Sequence, residues 1–78
     1  LRKGNDLFKE HKYVDAEVKY KKALKQNPNY ERAAYNLGNS VYEQNRFKDA
    51  LPQYEFVSKS TKDKETKSQT FHNIGNTT

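Results

Sequence analysis

Residues 32–51 read RAAYNLGNSVYEQNRFKDAL. Ala34, Leu37, Gly38 and Val41 recur at three- and four-residue steps, which puts them on one face of a helix. Arg32, Tyr35, Asn36, Asn39 and Glu43 recur at the same steps and form a polar stripe beside the apolar one. The polar pair Asn45-Arg46 interrupts the pattern. A second helical pattern then opens at Phe47, with Ala50 and Tyr54 on one side. The stretch reads as two helices joined by a tight polar turn.

Versions of the same phrase stand on either side of it. Residues 2–7 read RKGNDL and residues 71–78 read FHNIGNTT. Glycines fall at positions 4, 38 and 75, each followed by asparagine: Asn5, Asn39 and Asn76. The first interval holds well beyond this dipeptide. Tyr13 maps to Phe47, Asp15 to Asp49, Ala16 to Ala50, Tyr20 to Tyr54 and Ala23 to Val57. The third glycine comes three residues late. A fixed period of this length marks a repeat in which each helix pair is one structural unit.

The periodicity predicts helices near 1–10, 13–26, 31–44, 47–62 and 66–78. His11-Lys12 and Asn45-Arg46 are the turns within pairs. The run NPNY at 27–30 joins one pair to the next, because asparagine and proline end a helix and set the turn. Glycine and alanine at 4, 38, 16 and 50 are small where paired helices must approach. Tyr13, Tyr20, Phe47 and Tyr54 are large beside them, and small facing large fills space without voids. A single pair cannot bury its apolar face alone, so the pairs must stack. The expected architecture is an all-α solenoid of antiparallel helix pairs in one domain, 1–78. Repeat 1 spans 1–30, repeat 2 spans 31–64, and repeat 3 opens at 68–78 as the front of a longer array. Phe71 and Ile74 are expected on its inner face.

Two segments depart from the pattern. Pro52 lies inside the fourth helix, where a proline removes a hydrogen bond and bends the axis; its position faces away from the first helix of its pair. Residues 58–69, SKSTKDKETKSQ, contain no apolar residue. They read as a helix end running into a lysine-rich, lengthened link at about 58–67, with its charges solvated.

Composition sets limits. The 78 residues include 15 Lys and Arg against 10 Asp and Glu, for a formal charge of +5. The basic residues are interleaved with acids, which reads as a solvated surface in preference to a nucleic-acid footprint. There is no cysteine, hence no disulfide and no thiolate chemistry. No apolar run reaches membrane length, so this segment does not insert. His11 and His72 lack partners at metal-ligand spacing. Asp15 and Asp49 recur at equivalent points near helix starts, a place where carboxylates are favoured, and this argues for a structural role. No phosphate-binding glycine loop or nucleophile elbow is present. The sequence therefore points to a non-enzyme without cofactor.

The 34-residue interval, with Leu37-Gly38, Ala50 and Tyr54 in place and Pro28 closing the first unit, resembles the tetratricopeptide repeat. That resemblance implies a protein-interaction scaffold whose first helices line a concave groove for an extended peptide or a partner helix. By position, the lining residues are Asn5, Phe8 and Lys9, then Arg32, Tyr35, Asn36, Asn39, Tyr42 and Glu43, then Gln69, His72, Asn73 and Asn76. The amides would hold a partner's backbone, since each offers a donor and an acceptor. Asn5, Asn39 and Asn76 have an alternative reading in which they satisfy neighbouring helix ends or loops. A carboxylate clamp of the chaperone-binding kind is not expected. Asn5 and Asn36 match its asparagines, but Leu1, Gln69 and Asn73 stand at its basic positions. RKGNDLF, the stretch 32–51, the lysine-rich link and FHNIGN together look like the repeat proteins of bacterial aerotolerance operons. That narrower resemblance implies a periplasmic or envelope-anchored protein working beside a von Willebrand factor A-type protein and a MoxR-like ATPase. Without it, the compartment is unknown, with the cytoplasm as the default. The alternatives are nucleic-acid binding through the basic surface and self-association through the exposed edge of the third repeat.

Overall fold

In a computed structural model that describes residues 2–77, five helices follow one another: α1 (Arg2–Lys9), α2 (Tyr13–Gln26), α3 (Glu31–Glu43), α4 (Phe47–Ser60) and α5 (Lys64–Thr77). Leu1 and Thr78 lie outside the described residues, and with Leu1 goes one of the positions compared with a carboxylate clamp. The main packing runs between chain neighbours, from α1 on α2 through to α4 on α5. This is the all-α solenoid of paired helices expected from the period.

Each turn within a pair has the same construction. His11 and Asn45, one period apart, both adopt left-handed backbone, with φ of 61° and 63°. The Lys12 amide then donates to the Leu7 carbonyl and the Arg46 amide to the Val41 carbonyl. This closure satisfies carbonyls left open at the end of α1 and α3. His11 is exposed, as expected of a turn, but its Nδ1 lies 2.6 Å from the Tyr13 hydroxyl.

The core consists of Ala16, Tyr20, Leu37, Val41, Ala50 and Tyr54, with Leu7, Phe8, Leu24 and Ile74 packed against it. Its geometry depends on two glycines. A methyl group at Gly4 would stand 2.8 Å from Cε1 of Tyr20, and one at Gly38 would stand 2.8 Å from Cε1 of Tyr54. Both rings are buried, so neither can move aside cheaply. Gly75 differs, because nothing lies within 4 Å of the equivalent methyl position.

The structure corrects three readings of the third repeat. The lengthened link expected at about 58–67 is a break of three residues, 61–63, between two helices. Asp63 ends it early: its carboxylate accepts the Thr66 amide at 2.9 Å and the Thr66 hydroxyl, which makes it the N-cap of α5. These bonds also hold the Asp63 carboxyl below its ordinary value. The late glycine is absorbed inside the helix. α3 opens at Glu31, five residues before Asn36, whereas α5 opens at Lys64, nine before Asn73. Finally, Phe71 is exposed. Thr70 occupies the fully buried position instead, its hydroxyl satisfied by the Thr66 carbonyl at 2.6 Å, and only Ile74 joins the core. α4 runs unbroken through Pro52, whose ring is exposed as expected.

One acid is not part of the solvated surface. Glu17 is buried on α2 and receives Lys21 at 2.9 Å, Gln44 Nε2 at 2.9 Å and Arg46 at 2.8 Å. Gln44 and Arg46 belong to the turn between α3 and α4, so this carboxylate ties the first pair to the second. Burial alone would raise its pKa, but hydrogen bonds from Lys21, Gln44 and Arg46 reverse that and hold it at about 2. A folded-state value below the unfolded one stabilises the fold above the unfolded pKa and is lost as pH falls through the folded value.

Two predictions follow from this packing. Gly38→Ala is expected to cost about 1–3 kcal/mol by overpacking against Tyr54, whereas Gly75→Ala is neutral or stabilising by up to about 1 kcal/mol, since alanine is the better helix former. Thermal melts of the two variants check this contrast, and equal losses would overturn it. Glu17→Gln is expected to lose on the order of 1–3 kcal/mol at neutral pH. Urea melts across the acid range should show that deficit shrinking between pH 4.5 and about 2; a constant deficit would mean that the carboxylate charge is not what holds the two pairs together.

Candidate functional site

The inner helices α1, α3 and α5 are linked by amide pairs one repeat apart. Asn36 Nδ2 donates to Asn5 Oδ1 at 3.2 Å, and Asn73 Nδ2 donates to Asn39 Oδ1 at 3.4 Å. The same two oxygens accept the buried hydroxyls of the outer helices: Tyr20 reaches Asn5 and Tyr54 reaches Asn39, each at 2.7 Å. Each tyrosine thus packs its ring on a glycine and its hydroxyl on the next residue, the asparagine. Gly-Asn recurs because both residues meet the same tyrosine. Burial raises the pKa of both phenols, so the hydroxyls stay protonated and donate.

Two clefts open beside this network. One, of about 260 Å³, lies between α1 and α3 and is lined by Asn5, Phe8, Lys9, Tyr20, Asn36 and Asn39. The other, of about 280 Å³, lies between the start of α3 and the α4–α5 break. Glu31, Arg32, Tyr35, Thr61, Asp63 and Thr66 line it. The structure therefore gathers five of the expected groove residues in the first cleft and two, Arg32 and Tyr35, in the second. Asn73 joins through its bond to Asn39.

The remaining expected residues are placed differently. Tyr42 is half-buried and turned onto Phe47, edge to face with ring centroids 5.1 Å apart. Phe8 makes the same pairing with Tyr13 at 5.1 Å while still lining the first cleft. Both rings are partly used in holding their own turns, an effect worth about 0.5–1.5 kcal/mol beyond burial. Glu43, Gln69, His72 and Asn76 are exposed and outside the lining of both clefts. The oxygens of Asn5 and Asn39 are internal partners, but of side chains within the neighbouring helices and not of helix ends or loops. Sequence reasoning missed Tyr20, Glu31, Thr61, Asp63 and Thr66 as cleft residues. The signal was there in Asp63 followed three residues later by Thr66, the spacing of a helix cap. Among the described residues no group of three or more His, Asp or Glu could hold a metal ion.

The sequence profile of a family described as tetratricopeptide repeat matches residues 7–64. The chain belongs to the tetratricopeptide-repeat family. The matched region runs from Leu7 near the end of α1, through all of α2, α3 and α4, to the first residue of α5 in this tetratricopeptide-repeat domain. No curated protein matches the chain. Repeats of this family generally mediate contacts between proteins.

The tyrosine–asparagine bond of the domain can be measured directly. Tyr54→Phe and Asn39→Ala should each destabilise, and a double-mutant cycle between them should show coupling of about 0.5–1.5 kcal/mol. Additive losses would show that the hydroxyl and amide do not depend on one another.

Proposed function

We propose that this domain is a non-catalytic scaffold that binds an extended segment of a partner protein along α1, α3 and α5. The observation that carries this reading is the first cleft. It combines an apolar wall from Phe8 with three amides and one cation on the inner helices. Apolar area supplies affinity there, and a few fixed polar groups orient the ligand. In this reading Asn36 and Asn39, which line the first cleft, contact the partner's backbone, and Tyr35 at the neighbouring cleft supplies packing area. The groove spans only three inner helices, so affinity is modest, well short of what about 800 Å² per partner supports in a standard interface. The narrower likeness to aerotolerance-operon proteins would make that partner a von Willebrand factor A-type protein at the cell envelope. That step goes beyond the family and needs its own co-purification experiment.

A peptide library displayed on phage tests the groove. Enriched sequences should lose at least about fivefold in affinity, roughly 1 kcal/mol, with Asn36→Ala. They should be unaffected by Lys22→Gln on the outer face of α2, and should bind with weak salt dependence. If a short RNA or DNA duplex binds instead, with affinity falling steeply in salt, the basic surface is the functional one. If enriched peptides ignore Asn36 and depend on Lys22, the ligand sits on the outer face.

A further inference from the structure

The net charge of the chain is not spread evenly. Residues 1–30 hold eight Lys and Arg against four Asp and Glu, which places +4 of the total +5 on the first helix pair. The same pair exposes aliphatic surface. Val14 and Val18, one turn apart on α2, are 61% and 58% exposed. Valine is a mediocre helix former and gains nothing by standing in water, so neither helix stability nor solubility accounts for the two of them there.

The equivalent face of the second pair is a helix seat. Leu37 and Val41 are buried in one cluster with Ala16 and Tyr20 of α2, and α2 packs on α3. One period earlier those two positions are Lys3 and Leu7. Here lies a cleft of about 350 Å³ lined by Lys3, Leu7, Asp15, Val18 and Lys19. Leu7 and Val18 give it an aliphatic floor, and Lys3 and Lys19 a basic rim. Neither lysine takes part in an ion pair among the described residues. A further helix pair of the same kind, seated as α2 is on α3, would bury the Lys3 ammonium without a partner, which is costly. A helix that brings carboxylates to the rim removes that cost.

We propose that this end face of α1 and α2 is a second docking surface, which takes an acidic amphipathic helix of a partner protein. The apolar ridge of that helix rests on Leu7 and Val18, with Val14 extending the strip, and its carboxylates meet Lys3 and Lys19. A helix fits because residues three and four apart give one apolar ridge with charges beside it. A nucleic-acid backbone offers nothing to Leu7 and Val18. An anionic lipid surface meets Asp15 in the cleft lining, and valine side chains are too short to reach far into acyl chains. This surface shares no lining residue with the two clefts of the inner helices.

The probe is an alanine-based helical peptide of about 20 residues, capped at both ends, with leucines three and four apart and glutamates beside them. Its counterpart carries glutamines in place of the glutamates. Both are titrated into the chain and into its Val18→Gln, Asn36→Ala and double Lys3→Gln, Lys19→Gln variants, with thermal melts confirming that each is folded. The glutamate peptide should bind about fivefold tighter than the glutamine peptide, as two exposed ion pairs allow. The double lysine variant should remove that advantage. Val18→Gln should weaken both peptides by about fivefold, whereas Asn36→Ala leaves both unchanged. Backbone amide resonances of Leu7, Val18 and Lys19 should shift on binding. Equal affinity for the two peptides would overturn the acidic preference. Binding lost with Asn36→Ala and kept with Val18→Gln would place the helix in the inner groove and overturn this face as its site. No binding of either peptide would overturn the proposal; if the chain then sediments with phosphatidylserine vesicles, the face is a lipid surface.

Discussion

The contact between a tyrosine of an outer helix and the Gly-Asn step of its inner partner holds this domain together. The ring of Tyr20 fills the space left by a missing side chain at Gly4, and that of Tyr54 does so at Gly38, each at a distance that admits no further carbon. The hydroxyl at the tip then finds the adjacent amide oxygen at 2.7 Å in both repeats. A buried hydroxyl without a partner is costly, so the asparagine is as much a requirement of the tyrosine as the glycine is. One large residue in this way dictates two small choices on the facing helix, and the constraint returns unchanged in the second repeat.

From that contact the other features follow in order. The amide oxygen that receives the tyrosine also receives an amide from the next inner helix, so packing within a pair is coupled to stacking between pairs. A second link, on the other side of the stack, is the buried Glu17 with Gln44 and Arg46. The two differ in kind. The amide link repeats, whereas position 51, one period after Glu17, is leucine. The carboxylate is therefore particular to the junction of the first two pairs, where it favours one docking geometry through charge. With both links in place, the inner helices present a polar surface whose amides are held by bonds to their neighbours.

Much of the architecture was legible in the residues. The period, the tight turns at His11 and Asn45, the small residues at 4, 16, 38 and 50, and the polar stripe of α3 all reflect local geometry that a single helix pair imposes. The third repeat was read less well, for a physical reason. A run of charged and hydroxyl residues has no apolar period, so whether it is helical depends on its capping, and the Asp63 to Thr66 cap decided it. Phe71 was expected on the inner face of the third repeat, yet the extra turn at the start of α5 accompanies a register in which Thr70 is buried and Phe71 is outside.

The sequence by itself determined the helix count, the pairing and the family, because periodicity and steric fit between small and large positions are properties of the chain read locally. It also showed which residues share the inner face of α3. Only the tertiary structure decided how those residues are used. Asparagines equivalent in sequence could equally have been free ligand contacts or internal partners. Their oxygens are internal because two tyrosines, fifteen residues further along the chain, must place a buried proton somewhere. Tyr42 was spent on Phe47, and Glu17 was drawn out of the solvated surface, for the same reason. Phe47 for Tyr42, and Gln44 and Arg46 for Glu17, lie outside the residue's own helix, and distance across the fold is not written in the spacing along it.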